Sequence, residues 1–341
     1  MQGLAIRSPG GRLLVGNEPS LFTENLNKRP FLFNHGLADH PLFSLSRLAE
    51  AAEKMLANGG RDRFVVFDAK AFGAGSGFGE IAAHDQLAQT VRGLADGRTW
   101  LKLSSANEAD PAYAEVLQQI VGDLSGLSGR DLASEITWSS LTIFLASPGV
   151  VTPYHIDHES NFLLQVQGSK DVFLFDQDDR DVLSEGEIER FYAGDEQAAH
   201  YRPDMETRGQ SFHLSPGTAV HHPPLSPHWV RNGENVSVSV SIGFCMRSFD
   251  RRAKIYQMND LLRHVGIRPT PPGRFPMRDR LKAAGLEFAT KHGAVSREDI
   301  LFSGIRQIKA PLRFASRIRG QKTSENSSKA SDASSRSDLA C

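Results

Sequence analysis

The chain has 341 residues, of which 40% are hydrophobic and 23% charged, with 39 Lys and Arg against 40 Asp and Glu. That length suits one large domain with additions or two smaller ones, and the composition is that of an ordinary soluble globular chain. Near-neutral charge gives no case for nucleic-acid binding, no apolar run approaches a membrane span, and residues 1–14 lack the apolar centre of a signal peptide.

In chain order, residues 1–127 read as a mixed or helical region that packs on the strand-rich region C-terminal to it. Within it, 44–58 set Leu45, Leu48, Ala52, Met55 and Leu56 on one helical face. Residues 63–68 (RFVVFD) read as a short buried strand and 109–121 as a second helix. The glycine-rich run 72–79 (FGAGSGFG) follows a strand, where a phosphate loop would stand, but no G-x-G-x-x-G register fits it and it reads as a loop. Near Trp138 the character changes. Residues 139–147, 161–166, 171–175, 217–222 and 235–244 are strand-like, divided by the turn signals Ser147-Pro148-Gly149, Gln167-Gly168-Ser169 and Ser215-Pro216-Gly217. The last strand, NVSVSVSIGF, alternates apolar and polar residues, the pattern of a half-buried strand. Many short strands with Gly/Pro turns over 128–250 predict a β-sandwich or barrel. Helical periodicity returns in 251–320, at 253–265 and at 276–290, where Met277, Leu281, Ala284 and Phe288 share a face; 269–272 separate the two. Residues 321–341 are rich in Ser, Lys and Asp and predict a disordered tail. The two cysteines, Cys245 and Cys341, argue against a disulfide framework and make a reducing cytoplasm the default compartment.

The chemistry concentrates in residues 151–170, VTPYHIDHESNFLLQVQGSK. In extended backbone His155 and Asp157 share a face, and an imidazole with a carboxylate begins the 2-His-1-carboxylate triad that holds Fe(II) while leaving positions open for a co-substrate and oxygen. An isolated H-x-D is common by chance. The second imidazole must come from a distant strand, and His228, in HHPPLSPHWVRNG, is placed for it. His158, His221 and His222 are rival ligands, and a His-rich patch also suits zinc or manganese.

Thr152, His155, Asp157, Asn161 and Gly168-Ser169-Lys170, followed by Pro216-Gly217, Pro223-Pro224 and Pro227-His228-Trp229-Val230, resemble the cupin-like JmjC family of Fe(II)/2-oxoglutarate-dependent hydroxylases. Within it they are similar to the asparaginyl hydroxylase that acts on hypoxia-inducible factor. The resemblance covers about 142–244 and is weak before Trp100 and after Arg251. It implies a mainly β fold with flanking helices, a double-stranded β-helix (cupin, jelly roll) core with helical N- and C-terminal additions. It implies Fe(II) on His155, Asp157 and His228, which are also the catalytic centre, with 2-oxoglutarate and O2 as co-substrates. Lys170 would pair with the distal carboxylate of 2-oxoglutarate, Thr152 would add a hydroxyl, Asn161 an amide, and Ser241 a polar partner on the last strand. Seen singly, Lys170 reads equally well as a solvated turn residue, Thr152 as a turn residue before Pro153, and Asn161 as a strand-end amide. Trp100 resembles an aromatic lining the co-substrate pocket of relatives, although a core tryptophan is the favoured reading.

Three departures from the family pattern bear on substrate rather than iron: Thr218 where an acid usually follows Pro-Gly, His221-His222 in place of an aromatic before the two prolines, and Ser226 in place of a bulky aromatic. The reaction implied first is hydroxylation of a protein or peptide side chain, with release of succinate and carbon dioxide. N-methyl-lysine demethylation, a small-molecule biosynthetic hydroxylation and a non-enzymatic ligand-binding or regulatory cupin stand as alternatives. The resemblance further implies a homodimer through the helices that follow the barrel.

Overall fold

Alternation along each strand decides which side chains enter the barrel and which meet the helices. A computed structural model of the chain describes residues 11–15, 18, 20–38, 40–57, 63–68, 73–76 and 87–289. The expected tail at 321–341, half of the glycine-rich run and the side chain of Phe288 lie outside them.

Two antiparallel sheets face each other. Eight strands supply the double-stranded β-helix: β5 (Ile136–Ala146), β6 (Val151–His155), β7 (Ser160–Gln167), β8 (Lys170–Leu174), β9 (Gln210–Leu214), β10 (Thr218–His222), β11 (His228–Asn232) and β12 (Ser237–Met246). They divide between the sheets, β10-β7-β12-β5 in one and β6-β11-β8-β9 in the other, switching sheet at every step except from β8 to β9. Four earlier strands widen the first sheet at both edges: β1 (Leu14–Val15) and β2 (Phe31–His35) beyond β10, β4 (Thr99–Leu103) and β3 (Phe64–Asp68) beyond β5. The fold is therefore the expected double-stranded β-helix with flanking helices.

The outer face of the larger sheet carries Phe33, Phe162, Leu164, Val238, Val240, Ile242 and Phe244, which pack with the N-terminal helices in one apolar core. Those helices include α2 (Leu45–Ala57), α3 (Leu87–Arg92) and α5 (Pro111–Ser128). Helix α5 starts at the N-cap Asp110, whose side chain accepts from the Ala112 N–H, and ends at Gly129 with φ 68°. Inside α5, the buried Asp123 accepts from the backbone N–H groups of Leu13 and Leu14 at 2.6 and 3.0 Å and ties β1 to the helix.

The inner face holds Leu163, Val172, Leu174, Phe212, Leu214, Val220 and Val230. The alternating strand β12 differs from expectation here. All ten of its residues are buried. Its valines meet the helices, and its serines face not solvent but the lumen, opposite Leu163 and Gln165 of β7. Both faces of the larger sheet are covered at β12, so the polar half of the alternation marks a lined cavity.

Packing divides the chain into two units, one of 1–191 with 195–250, the other of 192–194 with 251–341. Both sheets belong to the first. In the second, Gln257, on α8 (Arg247–His264), donates to the Tyr192 carbonyl at 3.1 Å. Helix α9 (Pro276–Ala289) forms at the expected place but turns another face inward. Asp279, Ala283 and Leu286 are buried, whereas Met277 and Leu281 are 69% and 73% exposed. Asp279 accepts the Gly273 N–H at 2.7 Å, and that bond to the preceding turn fixes the helix rotation.

Candidate metal and co-substrate site

Strand β6 ends at His155 and β11 begins at His228, and the register sets the two directly opposite each other, ring centroids 4.1 Å apart. Asp157 follows two residues on, its Oδ2 3.7 Å from His228 Nε2. One ligand atom from each of the three lies within 4.8 Å of the others. His155 Nδ1 donates to the Pro153 carbonyl at 2.7 Å and His228 Nδ1 to the Ser226 carbonyl at 3.0 Å. Those bonds put both ring protons on Nδ1 and leave both Nε2 lone pairs for a cation. Burial, with the nearby His155, lowers His228 to a pKa of about 4 against the opposing pull of Asp157, so its imidazole is neutral near pH 7. The two ligand-bearing segments are also joined directly: the Leu225 N–H donates to the Asp157 carbonyl at 2.8 Å, with Leu225 held at φ 65°. A non-glycine residue in that region is strained, and it sits three positions before His228. Two imidazoles and one carboxylate on one side of a cavity suit Fe(II) with positions left open.

Lys170 opens β8 immediately after a turn that only glycine fits. Gly168 has φ 70°, and a Cβ there would stand 2.4 Å from the Val236 carbonyl oxygen. Lys170 shares the inward face with Val172 and Leu174 and pairs with Asn232, while Leu174 pairs with His228. The lysine therefore sits four residues along the strand from the metal end, roughly 13 Å of backbone. It is buried, burial alone lowers its pKa to about 7, and no acid pairs with it among the described residues. Thr152, opposite Val230, lies between the two levels. Ser241 donates to Asn161 Oδ1 at 2.7 Å, so these two expected polar residues meet in the lumen.

The rival histidines separate by strand face. His221 points outward, stacked on Phe162 with centroids 4.5 Å apart. Its Nε2 accepts from the Asn27 N–H at 3.0 Å and its Nδ1 donates to the Asn161 carbonyl at 3.1 Å. His221 is a satisfied core residue, and burial lowers its pKa to about 3. His158 belongs to a second group with Cys245 and the half-buried Asp250, 3.1 Å from Asp250 Oδ1. His222 points into the lumen, its centroid 4.7 Å from that of His228. Burial, then the charges of His228, His221, His155 and Lys170, hold its pKa well below the usual imidazole range.

Trp100 packs with Phe67, Ala146 and Val150 in a small apolar cluster, its ring centroid 5.4 Å from that of Phe144, which also packs against the inner-face cluster. Thr218 bonds the turn at Ser215, donating to its carbonyl and accepting its N–H. Ser226 donates to the Phe175 carbonyl at 2.5 Å and pins the loop before His228. Sequence reasoning did not single out Gln165, whose side chain donates to Ser237 Oγ at 3.0 Å and accepts from Ser239 Oγ at 2.7 Å inside the barrel. The signal was present in the serine alternation, once those serines are placed in a lumen.

A cleft of about 620 Å³ lies where β8 runs out at Leu174 and Phe175. Its walls include Asn25, Lys28, Arg29, Asp176, Gln177, Arg208 and Ser226, and none of His155, Asp157, Lys170 and His228 lines it. No helix among the described residues is long and apolar enough to cross a membrane.

No curated protein sequence matches the chain. Among solved structures, the ribosomal oxygenase YcfD of Escherichia coli is 18% identical, with 84% of this chain and 69% of that one covered and a TM-score of 0.45. A structure of YcfD in complex with cobalt and 2-oxoglutarate is 18% identical over 82% of this chain and 68% of that one, TM-score 0.44. Residues 22–249, two-thirds of the sequence, match the cupin-like domain family, and the chain belongs to that family.

Proposed function

We propose that the chain is an Fe(II)- and 2-oxoglutarate-dependent oxygenase of the JmjC type that hydroxylates a protein or peptide side chain. The observation that carries this reading is the pairing, inside one barrel, of the His155–Asp157–His228 group with a buried Lys170 that lacks an acid partner among the described residues. A triad alone suits many cupins. A buried lysine placed beyond it adds the demand for an anion, because an uncompensated charge in a dry interior is unfavourable until a carboxylate joins it.

When bound, iron and 2-oxoglutarate would supply the oxygen chemistry, in which the co-substrate leaves as succinate and carbon dioxide and one oxygen atom enters the substrate. His155, Asp157 and His228 would hold the metal on one side, their tautomers set by Pro153 and Ser226. Lys170, assisted by the Thr152 hydroxyl, would receive the distal carboxylate. Asn161 and Ser241 would orient the co-substrate from the larger sheet, and Leu163, Val172, Val220 and Val230 would keep water from its carbon chain. The cleft at the end of β8, with Asn25, Gln177, Asp176 and cationic side chains along it, offers hydrogen bonds to an extended segment, which supports a peptide over a compact metabolite. A homodimer through the helices after the barrel forms part of the same proposal.

The test is succinate formation from 2-oxoglutarate and Fe(II), with and without peptides, alongside mass spectrometry of cell extract treated with active enzyme and with Asp157→Ala. A gain of about 16 mass units on a protein is expected, one added oxygen. Loss of about 14 per methyl group would replace hydroxylation by demethylation, and change confined to a free metabolite would replace the peptide substrate.

A further inference from the structure

We propose that His222 is a co-substrate-contacting residue: its ring N–H donates to a carboxylate oxygen of the dicarboxylate that lies between the metal triad and Lys170. This rests on the functional reading above and deepens it.

His222 ends β10 on the face shared with Val220, opposite Asn161 of β7, and so belongs to the lumen. It is buried, and neither Nδ1 nor Nε2 has a hydrogen-bond partner among the described residues. A neutral imidazole carries one donor and one acceptor, and a fold that buries both unmade loses stability by doing so. The adjacent residue gives the comparison. His221, on the opposite face of the same strand, has both nitrogens satisfied by backbone groups. A histidine retained for packing is thus fully bonded one position away, whereas the one turned toward the cavity is left for a ligand.

The surroundings select an anion. Lys170, on the same inward side, is buried with no acid partner among the described residues, while Asp157, the nearby acid, belongs to the triad. The His222 nitrogens do not join the set of ligand atoms that lie within 4.8 Å of one another in His155, Asp157 and His228. The geometry therefore assigns it to what the metal site holds rather than to the metal. A carboxylate accepts the ring N–H in a charge-assisted hydrogen bond, with no change in the protonation of either group.

The experiment compares the wild-type chain with His222→Leu, His222→Phe and His222→Gln, loaded with Mn(II) so that no turnover occurs. Calorimetry reads Mn(II) affinity and 2-oxoglutarate affinity, and thermal melting reads the stability of the metal-free chain. The two apolar variants should bind Mn(II) as wild type, melt no lower than wild type, and bind 2-oxoglutarate roughly ten- to a hundredfold more weakly. His222→Gln, which restores a donor, should recover most of the affinity. The phenylalanine variant keeps the ring shape, so the comparison survives if leucine packs poorly. Equal 2-oxoglutarate affinity in all variants overturns the inference while leaving the oxygenase reading standing. Loss of Mn(II) binding in the apolar variants overturns it in favour of a metal ligand. A wild-type chain that binds Mn(II) but no 2-oxoglutarate overturns both.

Discussion

Lys170 is the residue on which the co-substrate reading turns, because burial sets its charge state. Its pKa is lowered from 10.5 to about 7 by burial alone. Between about pH 7 and the unfolded value the unfolded chain binds a proton that the folded metal-free chain does not, so stability rises with pH across that window and gains nothing below it. Ligand binding runs the other way, since a carboxylate needs the protonated amine. Affinity for 2-oxoglutarate in the Mn(II)-loaded chain should be flat below about pH 7 and fall as pH rises above it, with proton uptake on binding at pH 8. Calorimetry in two buffers of different ionisation enthalpy measures that uptake, and none at pH 8 would contradict the assignment. Lys170→Met should leave metal binding intact and remove about 2–5 kcal/mol of co-substrate binding, at least thirtyfold in affinity. His221 supplies the contrast on the outer face. His221→Leu strands the Asn27 N–H and the Asn161 carbonyl, so it should destabilise the fold by about 1–3 kcal/mol in urea unfolding and leave metal affinity unchanged. A loss of metal there would place His221 in the site.

At the scale of strands and helices, the site is made by the pairing of β6 with β11, which places His155 against His228 although 73 residues separate them in sequence (228 − 155). Asp157→Ala should abolish binding of one equivalent of Fe(II) under anaerobic titration and leave the melting temperature within a few degrees of wild type, since Asp157 is half-buried at a strand end. Retained binding would sink the triad. The local half of this site was legible in the sequence: extended backbone at HID puts two ligands on one face, and the turn residues Pro223-Pro224 precede the third. The resemblance, not periodicity, separated His228 from His221 and His222, because three histidines in eight residues differ only in which face of which strand they occupy. The strands β1, β2, β4 and β9 were not picked out. FLFNH at β2 alternates, buried and exposed by turns, but is five residues long and joins the sheet through β10, a partner nearly two hundred residues away. The same limit explains β12 and α9. Alternation gives a two-faced strand without saying that both faces are covered, and helical spacing gives several apolar stripes without saying which one a bond such as Asp279 to Gly273 will turn inward.

At the scale of the whole molecule, the balance of 39 basic against 40 acidic residues leaves no large field to steer a partner, so the proposed homodimer would rest on shape and apolar area. The exposed apolar residues of the second unit include Val265, Met277 and Leu281. Isolated exposed residues need no explanation, and Met277 and Leu281, on neighbouring turns of α9, are where the proposed homodimer would make its contact. The last 21 residues, 321–341, carry Leu339 as their one large aliphatic side chain and have little to bury, so they should contribute nothing to assembly or catalysis. Light scattering on three chains separates these claims. The full chain should have twice the monomer mass, a chain ended after Gly320 should keep that mass and full turnover, and Met277→Glu with Leu281→Glu should halve it by burying charge in the contact. A full chain that is already monomeric removes the homodimer. Loss of turnover on removing 321–341 gives the tail a role that its composition does not reveal. A doubly substituted chain that stays dimeric moves the contact off α9 and onto another surface.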